Sequence, residues 1–224
     1  MKRGIIFVDH DNCLISEQPN LELYSRIAQE YGVSLPPMSL APYVGNGSEI
    51  RKRFATDYGV PLSEQEVNAI RHERYREMLR NHEIVPRNEV IELVHRIKRD
   101  AGKDFYLILL STSGSDVFGY TIPHIGLQDA FDEQLSSTDM GFGSRKADSF
   151  AYVMKKLGLP CENSVAIDDS SHGIKEAKRA RLAVIAVPNE LTASQDLSVA
   201  DLILPQEAIP RFDVNILYRF ANLG

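Results

Sequence analysis

Two aspartates flank a single histidine at Asp9-His10-Asp11, directly after an apolar run, and a second acidic pair, Asp168-Asp169, follows another. Ser111 and Thr112 close a further apolar run, and Lys146 stands behind a loop rich in Gly and Ser at 141–144, just ahead of a helical pattern. Crowded carboxylates repel, by about 4 kcal/mol at ~4 Å for an effective dielectric of about 20. A hard dication such as Mg²⁺, which takes oxygen ligands, removes that penalty. The same residue types suit phosphoryl transfer. A carboxylate can attack phosphorus and split one difficult displacement into two easier ones, while a hydroxyl and an ammonium hold the charge of the transferred group. Asp at a strand end is also ordinary turn chemistry; recurrence at equivalent ends of separate strands is what sets these acids apart.

The elements that must position these residues are legible as alternating patterns. Runs at 4–9, 105–110, 164–167 and 183–187 are almost continuously apolar, with shorter strand candidates at 133–136 and 201–204. Continuous rather than alternating apolar runs mark strands covered on both faces, as in a parallel sheet. Amphipathic stretches at 90–99, 147–157 and 172–181 lie between them; Phe150, Val153, Met154 and Leu157 share one helical face. The alternation predicts a doubly wound α/β domain, whose ligands bind outside the carboxyl ends of the strands. Asp9, Asp11, Ser111, Asp168 and Asp169 all fall there.

Residues 17–84 differ: helix follows helix, broken at Pro36-Pro37, at Gly45-Asn46-Gly47 and at 59–63, with no convincing strand. They read as a small helical domain inserted into an α/β core made of 1–16 and 85–224, with hinges near 15–19 and 83–87.

The bulk properties narrow the function classes. The chain has 224 residues, 43% hydrophobic and 25% charged, and a formal charge of −6 from 25 Lys+Arg against 31 Asp+Glu. That balance gives no global attraction to nucleic acid or an anionic membrane surface. No window has the length of apolar sequence that a membrane span needs. Cys13 and Cys161 form no metal-binding or disulfide pattern, so a reducing, cytoplasmic setting is expected.

The ordered set DHDNCL, LLSTSGS, SRKADSF and VAIDDSSHG, with a helical insertion between the first two motifs, resembles the haloacid dehalogenase-like hydrolases, in the branch with a helical cap that includes β-phosphoglucomutase and phosphoglycolate phosphatase. The resemblance covers nearly the whole chain and implies a Mg²⁺-dependent phosphatase acting on a small phosphorylated metabolite. By resemblance Asp9 is the nucleophile and Asp11 the general acid and base. Asp9, the backbone carbonyl of Asp11, and Asp169 are the implied metal ligands, with Asp168 in direct or indirect support. Ser111, Thr112 and Lys146 are assigned to the phosphoryl group. In the insertion, the loop around Gly45 and Asn46 is similar to one that closes over substrate, and Arg51, on the helix after it, is assigned to substrate although a solvent-facing charge is the commoner place for such a residue. The dehalogenase branch lacks a carboxylate at the position of Asp11, which argues against dehalogenation. A phosphosugar mutase and a non-catalytic binding protein are the competing readings, the former weakened by Glu49 standing near the place of that branch's phosphate-gripping arginine.

The chain departs from the family pattern at several positions. Ala147 stands where Pro commonly follows the lysine, so Ser144 competes with Lys146 for the lysine's place, with Arg145 as a substitute. Asn12 and Cys13 stand where Gly and Thr are usual. His10 replaces a commonly apolar residue and is expected exposed near the cleft or against the substrate.

Overall fold

A computed structural model describes residues 1–224. The chain enters through β1 (Gly4–Val8), every residue of which is buried. It then runs through α1 (Gln18–Glu30), a 3-10 segment at Pro37–Tyr43, α2 (Gly47–Thr56) and α3 (Glu64–Arg80). It returns by α4 (Asn88–Ala101) into β2 (Phe105–Ser111), then α5 (Ser115–His124), β3 (Glu133–Ser136), α6 (Lys146–Leu157) and β4 (Ser164–Asp168). The last elements are α7 (Ser171–Arg179), β5 (Ala183–Ala186), β6 (Leu202–Ile203) and α8 (Ile216–Phe220).

The six strands form one sheet in the order β3-β2-β1-β4-β5-β6, with every neighbouring pair parallel. Strands added after β1 build outward on one side and those from β4 onward on the other. The order therefore reverses beside β1, which makes the crevice past the carboxyl ends of β1 and β4 the expected ligand site. Register sets that crevice: Val8 lies opposite both Leu109 and Ile167, and the Asp9 amide donates to the Ile167 carbonyl at 3.0 Å. Asp9 and Asp168 thus emerge level with each other.

Although β1 is apolar throughout, its side chains divide by parity. Ile5 and Phe7 pack with Ile108, Leu110, Phe150 and Ile174 on the face covered by α6 and α7, the Phe7 and Phe150 rings meeting edge to face at 4.9 Å. Ile6 and Val8 face the larger apolar cluster on the other side. There α4 presents Val90, Leu93, Val94, Ile97 and Ala101 at helical spacing. Gly158, in the left-handed region at φ 66°, ends α6 where a side chain would be strained.

The helices between β1 and α4 pack on one another, and α3 opens with a reciprocal capping box between Ser63 and Glu66. Their buried residues Leu21, Tyr24, Phe54, Val67 and Tyr75 are continuous with the cluster that holds Ile6 and Val8. The chain leaves and re-enters the sheet region side by side: the Ser16 amide donates to the Val85 carbonyl at 2.8 Å, and Ile15 bridges Pro86.

Several boundaries differ from the sequence reading. β1 stops at Val8 rather than at 9, β2 runs on to Ser111 and β4 to Asp168, because register with a neighbour decides where a strand ends. β6 shrinks to an edge pair of residues, and the helical turns after it, at Gln206–Arg211 and Ile216–Phe220, carry little periodic signal. No helix is long and apolar enough to cross a membrane.

Candidate active site

Asp9, the residue after β1, and Asp168, the last of β4, meet at one buried ammonium. Lys146 Nζ lies 2.8 Å from Asp9 Oδ1 and donates to Asp168 Oδ2 at 2.9 Å. Lys146 opens α6 and is 3% exposed. The geometry therefore brings Lys146, and not Ser144 or Arg145, to the acids; Ser144 lines the cleft nearby, and Arg145 turns outward to Asp148 at 3.0 Å.

Asp168 is held on its other side as well, since Oδ1 accepts from the Ser170 amide at 3.1 Å and hydroxyl at 3.0 Å. Ser170 in turn caps α7 by accepting from the Gly173 amide at 3.1 Å. A Cβ at position 173 would collide with the Asp168 carboxylate, so only glycine lets this helix approach. Gly45, at φ 90°, comes so close to the Ser170 side chain that a Cβ there would collide with it.

Asp169 Oδ2 accepts from Asn12 Nδ2 at 2.6 Å. Asn12 also exchanges hydrogen bonds with Asn189, at 3.0 and 2.7 Å, and accepts from the Glu17 amide at 3.2 Å. This explains the departure from glycine: Asn12 sits in the left-handed region at φ 55°, which Asn tolerates, and its amide group ties three loops together. Arg87, 5% exposed, secures the same region by donating to the carbonyls of Asn12, Val187 and Pro188 at 2.7, 2.9 and 3.3 Å. Cys13 is fully buried and burial pushes its thiol well up, so it is a packing residue.

The electrostatics of the group are unbalanced. Three carboxylates and one ammonium leave a formal charge of −2 when ionised. Burial raises Asp9 to about 7, with Asp168 and Asp11 adding to the rise and Lys146 opposing it. Burial, with Asp168 and Asp9 as neighbours, pushes Asp169 well above the carboxylate range. Burial works against the Lys146 ammonium too, but Asp168 and Asp9 outweigh it and keep the group charged. Asp169 Oδ1 is buried without a donor, whereas Asp9 Oδ1 has the Lys146 ammonium 2.8 Å away. Asp9, Asp168 and Asp169 can offer one oxygen each within 4.8 Å of one another. Hard oxygen donors, one orphaned acceptor and a charge of −2 fit a divalent cation such as Mg²⁺.

Asp11 lies outside that trio. Its Oδ2 accepts from the hydroxyls of Ser111 at 3.0 Å and Ser113 at 2.5 Å, and its Oδ1 is 3.0 Å from His10 Nδ1. Burial alone would raise Asp11, but His10 and the two hydroxyls together hold it below the usual carboxylate range. His10 itself is a correction to the sequence reading. It is neither exposed nor in the cleft but fully buried under α5, its ring 5.2 Å from that of Phe118.

A cleft of about 560 Å³ opens over Asp9, Asp11 and Lys146, between the strand ends and α1–α3. Only 4 of its 26 lining residues are hydrophobic, which suits a polar ligand. Thr112, Gly45, Asn46 and Arg51 all line it, whereas Ser111, Asp168 and Asp169 sit behind its wall. The Asn46 side-chain oxygen is committed to capping α2, accepting from the Glu49 amide at 3.2 Å. Arg53 points outward to Glu49 and Asp57 at 2.7 and 2.8 Å. Sequence reasoning missed Glu17, Asn20 and Arg71: Arg71 Nε donates to Asn20 Oδ1 at 2.8 Å, and Asn20 Nδ2 to Glu17 Oε2 at 2.6 Å, along the cleft wall. Two polar residues at the start of α1 and one on α3 carry no distinctive spacing signal.

Comparison with known proteins agrees with this geometry. The family model for haloacid dehalogenase-like hydrolases matches residues 5–181. YhcW of Bacillus subtilis (strain 168), a protein named as a phosphatase, is 26% identical over 200 residues, 87% of each chain. The crystal structure of CbbY from Rhodobacter sphaeroides in complex with phosphate superimposes with a TM-score of 0.72 at 20% identity, covering 93% of this chain and 95% of that one. A family IA hydrolase from Entamoeba histolytica reaches a TM-score of 0.76 at 18% identity, over 99% of this chain and 100% of its own. With a family match across most of its length, the chain belongs to the haloacid dehalogenase-like hydrolases.

Proposed function

We propose that the protein is a Mg²⁺-dependent phosphatase that hydrolyses a small phosphorylated metabolite. The observation that carries this reading is the buried group of Asp9, Asp168, Asp169 and Lys146 at the floor of a polar cleft. The relatives named as phosphatases and the phosphate bound to CbbY support it.

An Asp9 carboxylate oxygen attacks phosphorus, the ester P–O bond breaks, and the phosphoryl group passes to Asp9. Lys146 and Ser111 stand beside the reacting centre to hold its non-bridging oxygens. Asp11, whose protonation the negative charge of the incoming phosphoryl group favours, delivers that proton to the departing alkoxide and then takes one from the water that cleaves the aspartyl-phosphate, releasing inorganic phosphate and restoring Asp9. A divalent cation held by Asp9 and Asp169, with the Asp11 carbonyl and support from Asp168, would keep Asp9 ionised and neutralise phosphoryl charge. In this reading residues 17–84 act as a cap that excludes bulk water, swinging on the paired crossings near Ser16 and Val85. Gly45, Asn46, Arg51 and Thr112 line the space left for the substrate.

A panel of phosphorylated metabolites, assayed for phosphate release with Mg²⁺ and with EDTA, tests the proposal. Mg²⁺-dependent release that Asp9→Asn abolishes is expected. Label passing from a sugar bisphosphate into a sugar monophosphate, without phosphate release, would show a mutase instead.

A further inference from the structure

His10 stands between the two acids in sequence, yet its ring faces away from the cleft, against α5. Its Nε2 is 2.6 Å from Thr121 Oγ1, and that hydroxyl donates to the Val117 carbonyl at 3.0 Å. A hydroxyl whose single proton is committed can only accept at its other side, so Nε2 carries a proton and donates it to Thr121. Nδ1 is thereby turned toward Asp11 Oδ1, 3.0 Å away, and this contact is a hydrogen bond through a second proton held between the ring and the carboxyl. The backbone of α5 is thus tied through one buried hydroxyl and one buried ring to a single carboxylate oxygen.

The geometry points to His10 as a positioning residue, anchored by Thr121, that holds the Asp11 carboxyl from the side opposite Ser111 and Ser113. The inference rests on the phosphatase reading and deepens it. Asp11 Oδ2 depends on Ser111 and Ser113, and Ser111 is the hydroxyl that the reaction assigns to the phosphoryl group. As Ser111 turns to a phosphoryl oxygen, Asp11 loses part of its restraint at the moment it must face the leaving oxygen. The link from Oδ1 to His10 uses neither serine and survives the exchange. An apolar residue at position 10 offers no such link. Catalytic groups misplaced by even a small displacement lose much of their effect, so the restraint bears on rate rather than on binding.

The test compares hydrolysis of 4-nitrophenyl phosphate and phenyl phosphate in Mg²⁺. Both break the same P–O bond, but 4-nitrophenolate leaves without a proton whereas phenolate benefits from one. The ratio of their kcat/KM values therefore reads proton delivery by Asp11. His10→Leu fills the buried space without offering a donor. It is expected to lower kcat/KM for phenyl phosphate by about 10-fold or more, a part of the 10²- to 10⁴-fold typical of general acid catalysis. The nitrophenyl ester should change by less than about 3-fold. Thr121→Val should move the ratio the same way and Thr121→Ser should restore it. The double variant His10→Leu/Thr121→Val should be no worse than His10→Leu alone, because both cut one chain. Equal losses on both esters, an unchanged ratio, or additive losses in the double variant would overturn the positioning role. Should His10→Leu fail to fold, the contrast between Thr121→Val and Thr121→Ser decides the question by itself. Wild-type protein that hydrolyses neither these esters nor any member of the metabolite panel refutes the phosphatase reading, a result distinct from all of these.

Discussion

With divalent metal removed, the protein's stability is expected to fall as pH rises from about 5 to 8, and Mg²⁺ is expected to cancel most of that fall. The sign follows from the buried acids. Asp9 is raised from 3.8 to about 7 in the folded protein, and Asp169 is raised as well. Between those pH values the folded chain binds more protons than the unfolded chain, so stability decreases with pH across the window. Below about pH 4 both states are protonated at Asp9, and its contribution is fully present. A shift of this size corresponds to at most about 4 kcal/mol at ~1.4 kcal/mol per pH unit, reduced in practice by water entering the cleft. Mg²⁺ at a hundredfold excess over its dissociation constant adds about 2.7 kcal/mol. For a chain of this length, where 1 kcal/mol moves Tm by about 2–4 °C, the gain is about 5–11 °C. Thermal unfolding at pH 5, 6, 7 and 8, in EDTA and in MgCl₂ at matched ionic strength, measures both effects. Mg²⁺ should raise Tm strongly at pH 8 and hardly at pH 5, where protons compete for the same oxygens. Asp9→Asn in EDTA should flatten the pH dependence. A Tm at pH 8 that ignores Mg²⁺, or an Asp9→Asn/Asp169→Asn double variant with the same pH-dependent fall and the same response, would refute the reasoning.

Lys146→Met leaves three buried carboxylates without their ammonium; it should cost about 3–5 kcal/mol in metal-free protein, read by urea unfolding, and eliminate phosphate release. Ser144→Ala should change stability by less than about 0.5 kcal/mol and turnover only modestly, because Ser144 reaches none of the acids. Asn12→Ala, which loses the hydrogen bonds to Asp169 and Asn189 and strains a left-handed residue, should destabilise by about 2–4 kcal/mol. Asn12→Gly, free of the backbone strain, should lose less, and the comparison in denaturant separates the two contributions.

The sheet and its strand ends were readable because each main strand is apolar throughout and each ends on residues of a different chemistry. Asp9, Asp168 and Asp169 converge as their positions after parallel strands require. Lys146 was ambiguous for a physical reason: it stands at a loop-to-helix junction, where one residue of loop decides which side chain faces inward. The role of His10 was hidden because its partner Thr121 is 111 positions away, on a helix with Pro123 and no strong apolar periodicity. Arg71 was invisible for the same reason, being 51 positions from Asn20, and Glu17 and Asn20 at the start of α1 carry no pattern beyond ordinary polar residues of a first helical turn.

In the proposed closure of the cap, the close approach of Gly45 to Ser170 is a hard stop on how far the mouth of the cleft can shut. Ser170 also grips Asp168, so the stop is built on the same residue that steadies the acids. Any side chain at position 45 would act as a wedge against it and prop the entrance ajar. Such a wedged form would trade dryness for room: bulkier esters would gain entry, while water would reach the proposed aspartyl-phosphate before the alcohol has cleared. The single hydrogen atom that serves as a side chain at position 45 therefore bears on which molecules are admitted and on how well the reaction is kept from the surrounding solvent.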